Sequence, residues 1–454
     1  MLLDTRLMDT SLLKKYDVAG PRYTSYPTVP YWETDTFTTE QWKDRLLDKF
    51  IRSDRSVSLY VHLPYCESLC TFCGCHKRIT KNHGVERPYL ETVLREWQLY
   101  LDLFPSQPAL AEMHFGGGTP TFFTAENLAW FVEQLLKGTT AVEQPDFGFE
   151  GHPNNTTFEH LQALADLGFR RVSFGVQDYD PRVQQAIHRI QPFERVKLAT
   201  EHARRAGYSS VSHDLVYGLP FQTQAGVRDT IQKTIALRPD RISYYSYAHV
   251  PWIKGTGQRG FQNEDIPQGE EKRALYEIGR DLLQEAGYTE IGMDHFALPH
   301  DSLYQAMQKG TLHRNFMGYT TTRSEVLVGL GASSISDCWT AFAQNLKDIE
   351  AYTAAVEQQT FPILKGHALT DEDMHIRRQI LDLMCRFETQ WQPGSSSEIE
   401  AALQGLQDDQ LIEYTVDRVC VTEKGRAFLR NICMVFDEKL KKNQPQQPLF
   451  SKTV

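Results

Sequence analysis

This 454-residue chain has no apolar run approaching the roughly 18 residues that a membrane-spanning helix needs, so no span is expected. It has no excess of positive charge either. Its 48 Lys and Arg stand against 58 Asp and Glu, a formal charge of −10. That balance argues against a protein that lives on nucleic acid, whose footprint is a basic patch, but it leaves room for an anionic ligand in a locally basic pocket. Residues Met1 to Gly20 contain no apolar core and carry Asp4, Asp9 and Asp17. No secretory leader is therefore expected, and the chain is assigned to the cytoplasm. Internal repeats are absent. Apolar content of 41% and charged content of 23% are ordinary for a globular protein and exclude a disordered chain, a collagen or a coiled coil. At roughly 150 residues per domain the length allows about three domains, or one large (β/α) unit with a smaller partner. Such a chain buries a full core without disulfide staples.

In a reducing compartment disulfides are rare, so eight cysteines need another use. Cys338, Cys385, Cys420 and Cys433 are isolated and read as small buried or half-buried hydrophobes. Cys66, Cys70, Cys73 and Cys75 are different, falling within ten residues in HLPYCESLCTFCGCHKR. The spacing C-x3-C-x2-C places three thiolates on one loop. That is one short of the four-cysteine set of a four-iron cluster, which leaves one iron open to an external ligand. Structural zinc is the alternative. Closed zinc sites take two separated ligand pairs, and no second cysteine pair lies at finger spacing here, although His76 and His83 are near.

The rest of the chain alternates between strand and helix patterns. Strands are expected at Val57–Leu63, Ala111–Phe115, Asp146–Glu150, Arg171–Val176, Ser209–Val216 and Arg241–Tyr247. Helices are expected at Arg87–Leu103, Glu126–Leu136, Glu159–Leu167, Arg195–Ala206 and Gly226–Leu237. This alternation specifies parallel βαβ units, and six strands fit a partial (β/α)6 barrel. Periodicity alone does not separate that from a doubly wound sheet. In barrels the chemistry sits at the C-terminal strand ends, where this sequence places Glu150, Gln177, Asp214 and the run Gly116-Gly117-Gly118-Thr119-Pro120-Thr121. Glu150 and Asp214 have a plainer reading as helix caps. The glycine run is no dinucleotide fingerprint, because Thr121 occupies the third glycine position, and it is no P-loop. Further on, Thr370 to Asp373 starts a helix that continues over Met374–Phe387. Pro393–Ser397 is a turn or linker, and Glu398–Asp408 a helix. Leu411–Tyr414 with Val419–Thr422 is a hairpin, and Lys424–Leu440 a last helix. This order resembles a small winged-helix arrangement. The polar tail Lys441–Pro448 reads as flexible.

The cysteine loop, with Phe72 before its third cysteine, resembles the radical S-adenosylmethionine (SAM) superfamily. At finer grain the whole chain resembles the oxygen-independent coproporphyrinogen III oxidase family. The segments that carry this include GPRYTSYPT at Gly20, YVHLPYCESLCTFCGC at Tyr60, GGGTPT at Gly116, GVQD at Gly175 and DLVYGLP at Asp214. Others are YAHVP at Tyr247, GMDHFA at Gly292, LHRNFMGYTT at Leu312 and RNICMVFD at Arg430. Haem-binding chaperone relatives share the barrel but lack the PRYTSYP segment and the fourth cysteine; they supply the alternative reading, a binding protein without catalysis.

The resemblance implies an α/β fold: a partial (β/α)6 radical SAM barrel with an N-terminal extension and a smaller, mostly helical C-terminal domain. The corresponding divisions are 1–50, 51–365 and 366–454. It implies one [4Fe–4S] cluster on Cys66, Cys70 and Cys73, with Cys75 accessory, and two SAM molecules. Tyr60, Gly117 and Glu150 would contact the first SAM. Phe72, Gly118, Thr119, Gln177, Arg189, Asp214, Ala248 and Ile335 would contact the second. The implied substrate is coproporphyrinogen III, two of whose propionates become vinyls, and the implied electron donor is a low-potential carrier such as flavodoxin or ferredoxin. A monomer is expected, with no nucleic acid partner. Four substrate carboxylates call for cations, for which Arg22 and Arg314 are the candidates. Two positions depart from the family pattern: His152, where an Asp is usual, and His213, where a smaller neutral residue is expected.

Overall fold

The structure, a computed structural model, describes residues 10–140, 142–252, 257–322, 324–392, 394, 396–443 and 449–453. Six strands, β1 (Ser56–Leu63), β2 (Ala109–Gly117), β3 (Asp146–Gly151), β4 (Phe169–Gln177), β5 (Ser210–Tyr217) and β6 (Arg241–Ser246), pair side by side, all parallel and in chain order. They are the six strands expected from sequence, with ends within two residues. Both faces are covered, which is why β1 reads as a nearly continuous apolar run rather than an alternation. Helices Glu86–Leu103, Ala125–Leu136, Phe158–Asp166, Phe193–Arg205 and Gln224–Leu237 form the crossovers. Thr124, Thr157 and Thr223 cap three of them by accepting the amides of Asn127, His160 and Gly226. Glu150 and Asp214 are thereby free of capping duty.

The sheet continues at both edges. Beyond β6, β7 (Thr289–Gly292) and β8 (His295–Ala297) form an antiparallel pair, with β8 on β6. On the other side β9 (Leu327–Leu330) lies parallel to β1. It is followed by the antiparallel β10 (Ile335–Asp337), β11 (Ala341–Asn345) and β12 (Ile363–Ala368). The order is β12-β11-β10-β9-β1-β2-β3-β4-β5-β6-β8-β7. Its two outer strands do not pair with each other, so this is an open α/β sheet around a seven-stranded parallel centre, β9 and β1 to β6.

The largest core joins helix Thr39–Arg52, through Trp42, Leu46 and Phe50, to sheet and helix residues such as Trp97, Phe115 and Phe131. That helix runs through residue 50, as β12 runs through residue 365. A second core joins Leu12, Tyr23 and Tyr26 to Leu383, Trp391 and Phe428, so the N-terminal segment and the C-terminal region share one apolar interior.

In that C-terminal region helix Asp371–Arg386 starts with the reciprocal Thr370–Asp373 capping box. Helix Ser397–Asp408 follows. The hairpin Ile412–Tyr414 with Arg418–Val421 gains a third strand, Glu388–Gln390. The single helix expected over Lys424–Leu440 is not formed. The chain makes a tight 3-10 helix, Lys424–Phe428, then helices Leu429–Met434 and Glu438–Lys442. Two packing constraints break it. A Cβ on Gly425 would fall 1.8 Å from the Leu411 carbonyl oxygen, so the backbone is pressed against the sheet. Asp437, fully buried, accepts from Tyr23 Oη at 3.0 Å and caps the last turn through the Leu440 amide at 2.8 Å. Residues 1–9 of the N-terminal reading, 393 and 395 of the Pro393–Ser397 turn, and 444–448 of the tail lie outside the described residues. Beyond them the chain returns: Gly20 N donates to Ser451 O and Thr453 N to Val18 O. Among the described residues no helix is long and apolar enough to cross a membrane.

Candidate active site

At the C-terminal end of β1 the chain passes through Pro64 into Tyr65–Cys66, which pairs with Arg78–Ile79 and closes the cysteine loop. The loop is pinned from inside by Cys73 N to Cys70 O at 3.2 Å. From outside, Thr71 donates its amide to Ile187 O and its hydroxyl to Ala186 O, at 2.9 and 2.8 Å. Cys66, Cys70 and Cys73 are half-buried and Cys75 is exposed. Burial pushes the Cys66 thiol up to about 11. Cys73 moves the other way, to about 6, because the Cys75 thiol hydrogen-bonds to it and the Lys77 ammonium lies beside it.

The glycine run after β2 is built against this loop. Gly118 N donates to Leu63 O at 2.9 Å and Thr119 N to Tyr65 O at 3.0 Å, while Thr119 Oγ1 lies 3.3 Å from Cys66 Sγ. A Cβ on Gly118 would meet the Pro64 carbonyl carbon at 2.6 Å. Gly117 adopts φ +111°, and a Cβ there would strike the His62 ring at 2.6 Å. Glycine thus serves a close approach of two backbones here and a left-handed bend one residue earlier.

The residues assigned to the first SAM form one patch. Gly117 N lies 3.4 Å from Glu150 Oε2 at the end of β3. His114 Nε2 is 3.7 Å from Glu150 Oε1, and the Tyr60 ring stacks on His114 at 6.3 Å. Tyr60 Oη stands 3.3 Å from His62 Nδ1. Burial, reinforced by Glu150, holds the Tyr60 phenol well above its usual range. Burial also lowers His62 to about 4, so its imidazole stays neutral.

Of those assigned to the second SAM, Gly118 and Thr119 lie against the cysteine loop, next to Gly117. Arg189 donates Nη2 to Gly175 O at 2.6 Å and Nη1 toward Cys70 Sγ at 3.8 Å, while its buried Nε–H has no partner among the described residues. Gln177, at φ +69°, brings its amide beside Gly175. Gln258 links Phe72 to Ala248 by donating to both carbonyl oxygens, at 3.3 and 2.7 Å. Asp214 accepts from Ser173 Oγ at 2.6 Å; burial, with the like charge of Glu150, raises its carboxyl to about 6. Ile335, in β10, packs against Trp32, Phe342 and Leu369, with its backbone against Gly329, the register partner of Tyr60.

The two departures from the family pattern have local accounts. His213 alternates with Asp214 along β5. It is fully buried, 2.9 Å from Thr200 Oγ1 on helix Phe193–Arg205, and burial drives it down to about 3. His152 accepts the Asn154 amide at 3.2 Å and is lowered to about 3 by burial and by Arg189. Neither imidazole adds a charge.

A cavity of about 530 Å³ opens at the C-terminal ends of β5 and β6, between helix Gly269–Glu285 and the C-terminal region. Arg22 and Arg430 line it. Arg22 donates to Ser246 O at 2.6 Å, and Arg430 donates to the carbonyls of Gly20, Pro21 and Lys452. Neither has a carboxylate partner among the described residues. Burial and the Arg22 charge lower Arg430 to about 9. Arg314 is buried over the Tyr319 ring, 4.6 Å away, with Nε and Nη1 unpaired. Sequence reasoning missed His62, Ser173 and Arg430; the first and last stood in plain sight within YVHLPYC and RNICMVFD.

The donor set suits an iron–sulfur cluster with SAM: three soft thiols on one loop, a glycine turn that a methyl group would fill, and an arginine N–H lacking a partner. His83, weighed with zinc, is engaged by Glu86 and Glu67 at 2.7 and 3.3 Å.

The radical SAM superfamily matches residues 60–234. The oxygen-independent coproporphyrinogen III oxidase of Pseudomonas aeruginosa is 37% identical over 451 residues, covering 97% of each chain. The same-named proteins of Synechocystis and Escherichia coli are 36% and 35% identical, over 98% of this chain and 97% and 98% of theirs. The solved coproporphyrinogen III oxidase of Escherichia coli, described as a radical SAM enzyme, superposes with a TM-score of 0.88. It is 34% identical and covers 95% of this chain and 99% of its own.

Proposed function

Because this chain belongs to the family of oxygen-independent coproporphyrinogen III oxidases, radical SAM enzymes, we propose a residue-level account of how it carries that oxidation. The protein is an oxidoreductase that oxidises coproporphyrinogen III in haem biosynthesis without oxygen. The observation that carries the account is the convergence of the cysteine loop, the Gly116–Thr119 turn and Arg189 at the C-terminal end of the parallel strands.

Cys66, Cys70 and Cys73 would hold the [4Fe–4S] cluster. Bound there with SAM, the cluster would supply a radical able to take a hydrogen atom from a propionate β-carbon; loss of carbon dioxide and of one electron to an external one-electron acceptor would then leave a vinyl group. The chain's own part is to bind, orient and exclude water. Glu150 and the Gly117 amide offer an acceptor and a donor to the first SAM. Tyr60, with its phenol held protonated, closes that side. Arg189 offers its unpaired N–H to the carboxylate of a second SAM, and Asp214, steadied by Ser173, offers an acceptor for a ribose hydroxyl or amino group. Two sites match the stoichiometry of two propionates. Arg22 and Arg430 in the cavity, and Arg314 with two free N–H donors, supply cations for substrate carboxylates. The working location is the cytoplasm, where a low-potential one-electron carrier is at hand.

The test is an anaerobic assay with the reconstituted enzyme, SAM, reductant and coproporphyrinogen III, read by mass spectrometry. Protoporphyrinogen IX with two SAM cleaved per product is expected. Tight binding of the tetrapyrrole without vinyl product would instead mark a binding protein on the same fold.

A further inference from the structure

A second concavity lies on the outer side of the cysteine loop. It is a shallow groove of about 790 Å³ lined by Leu69, Thr71, Arg182, His188, Phe221 and Arg259 among others. Its floor is the ligand loop itself, since Leu69 and Thr71 flank Cys70. Its wall is the turn after helix Pro181–Ala186. The two are laced together: Thr71 donates to Ala186 O and Ile187 O, and His188 Nδ1 lies 2.9 Å from Leu69 O. Arg189, next in the chain, reaches Cys70 Sγ at 3.8 Å. A covalent and hydrogen-bonded route of a few bonds therefore joins the groove surface to a cluster ligand.

The charge of this face is opposite to that of the molecule. The chain carries −10, yet no Asp or Glu lines the groove among the described residues. Arg182 and Arg259 are exposed and have no carboxylate partner among the described residues. The Arg182 guanidinium carbon lies 4.3 Å from the centre of the Phe221 ring, a cation–π contact on the groove wall. At the edge of the same turn Ile190 leaves 60% of its surface in water. Exposed apolar area rimmed by unpaired cations is the composition of a transient protein-docking face.

We propose that this groove is the docking face for an acidic one-electron carrier protein, which delivers its electron to the cluster through the Leu69–Thr71 segment. The inference rests on the radical SAM reading above. One electron leaves the carrier and one enters the cluster, and nothing else is transferred. Arg182 and Arg259 steer and orient the carrier, so they act on the encounter and its salt dependence rather than on chemistry at the cluster.

The experiment uses the anaerobically reconstituted enzyme and an acidic flavodoxin as probe. Equilibrium binding is measured at several salt concentrations for the parent, for Arg182→Gln with Arg259→Gln, and for Arg182→Glu with Arg259→Glu. SAM cleavage is followed in parallel with reduced flavodoxin and with dithionite. Charge reversal is expected to raise Kd at least tenfold at low salt, with the neutral pair intermediate, and to flatten the salt dependence. Cleavage driven by dithionite and the cluster absorption should match the parent. Unchanged flavodoxin affinity and flavodoxin-driven rate in the reversed pair would overturn the docking face. Failure of the parent to cleave SAM even with dithionite would overturn the radical SAM reading beneath it.

Discussion

Replacing Gly118 by Ala tests whether the glycine turn is a mould for the cysteine loop. The added methyl carbon would sit 2.6 Å from the Pro64 carbonyl carbon, 2.7 Å from its oxygen and 2.8 Å from the Tyr65 oxygen. All three are backbone atoms, so no side chain can swing aside. Relief requires the Pro64–Cys66 segment to move away, and that segment accepts the Thr119 amide and carries Cys66 against Thr119. Overpacking a filled site costs about 1–3 kcal/mol. Weakening the Thr119–Tyr65 and Gly118–Leu63 backbone hydrogen bonds adds about 0.5–1.5 kcal/mol each. The sum, roughly 2–6 kcal/mol, is a large share of a typical protein's stability. Two companion variants separate strain from the mere presence of a methyl group. Gly74→Ala, in the cysteine loop with nothing within 4 Å, should leave stability unchanged or raise it by up to about 1 kcal/mol. At Gly116 the nearest atoms the methyl would meet are those of the Glu150 carboxylate, at 2.9 Å, so Gly116→Ala should fold normally but bind SAM more weakly. Urea unfolding of the apoprotein, iron content after anaerobic reconstitution and SAM titration give the three readings. A Gly118→Ala protein that unfolds with the parent and takes up full iron would refute the argument, because the turn would then have slack that the backbone contacts deny.

Arg189→Ala should keep the cluster absorption while SAM bound per chain falls from two to one; a parent that binds only one SAM at full activity would remove the second site. Arg314 is buried with two unpaired donors, so Arg314→Ala should not lower the unfolding midpoint, yet it should weaken coproporphyrin III binding by tenfold or more, as fluorescence quenching of the free porphyrin can show. Glu96, fully buried on helix Glu86–Leu103, accepts from Gly331 N, Asn345 Nδ2 and Tyr352 Oη, and burial raises its carboxyl to about 7. Its folded value lies above its unfolded one, so its contribution to stability is full below the unfolded value and is lost as pH rises through about 7. Urea midpoints at pH 5 and 8 should therefore fall less in Glu96→Gln than in the parent, and equal falls would show that Glu96 does not titrate there.

Much of this was legible in the sequence, for identifiable reasons. Strand β1 is buried along nearly its whole length, so its apolar run stands out; β4 and β5 show instead through alternation, and threonines mark the starts of three intervening helices. The cysteine loop and glycine turn are local, and spacing alone displays them. What escaped is non-local. Nothing in Arg430's neighbourhood announces that its guanidinium meets the carbonyls of Gly20, 410 residues upstream, and of Lys452, 22 residues downstream. The break in the expected last helix comes from Leu411 pressing on Gly425 and from Tyr23 reaching Asp437, neither of which a helical period records. Ser173 lies beside Asp214 only because β4 and β5 are neighbours in register.

The pairing of β1 with β9 sets a timetable for biosynthesis. Leu63, at the doorstep of the cysteines, belongs to a strand whose other neighbour begins at Leu327, about 260 residues later. At about 5–20 residues per second the ribosome needs roughly 13 to 50 seconds to deliver that neighbour. Throughout that interval Cys66, Cys70 and Cys73 stand on an unfinished sheet edge, accessible to oxidants and stray metals. The turn at Gly331 then packs against the His62 carbonyl and the Tyr89 hydroxyl, closing the far side of β1. The expected consequence is that a nascent polypeptide stalled before residue 327 carries its thiols but no iron, which the iron content of the released chain would show.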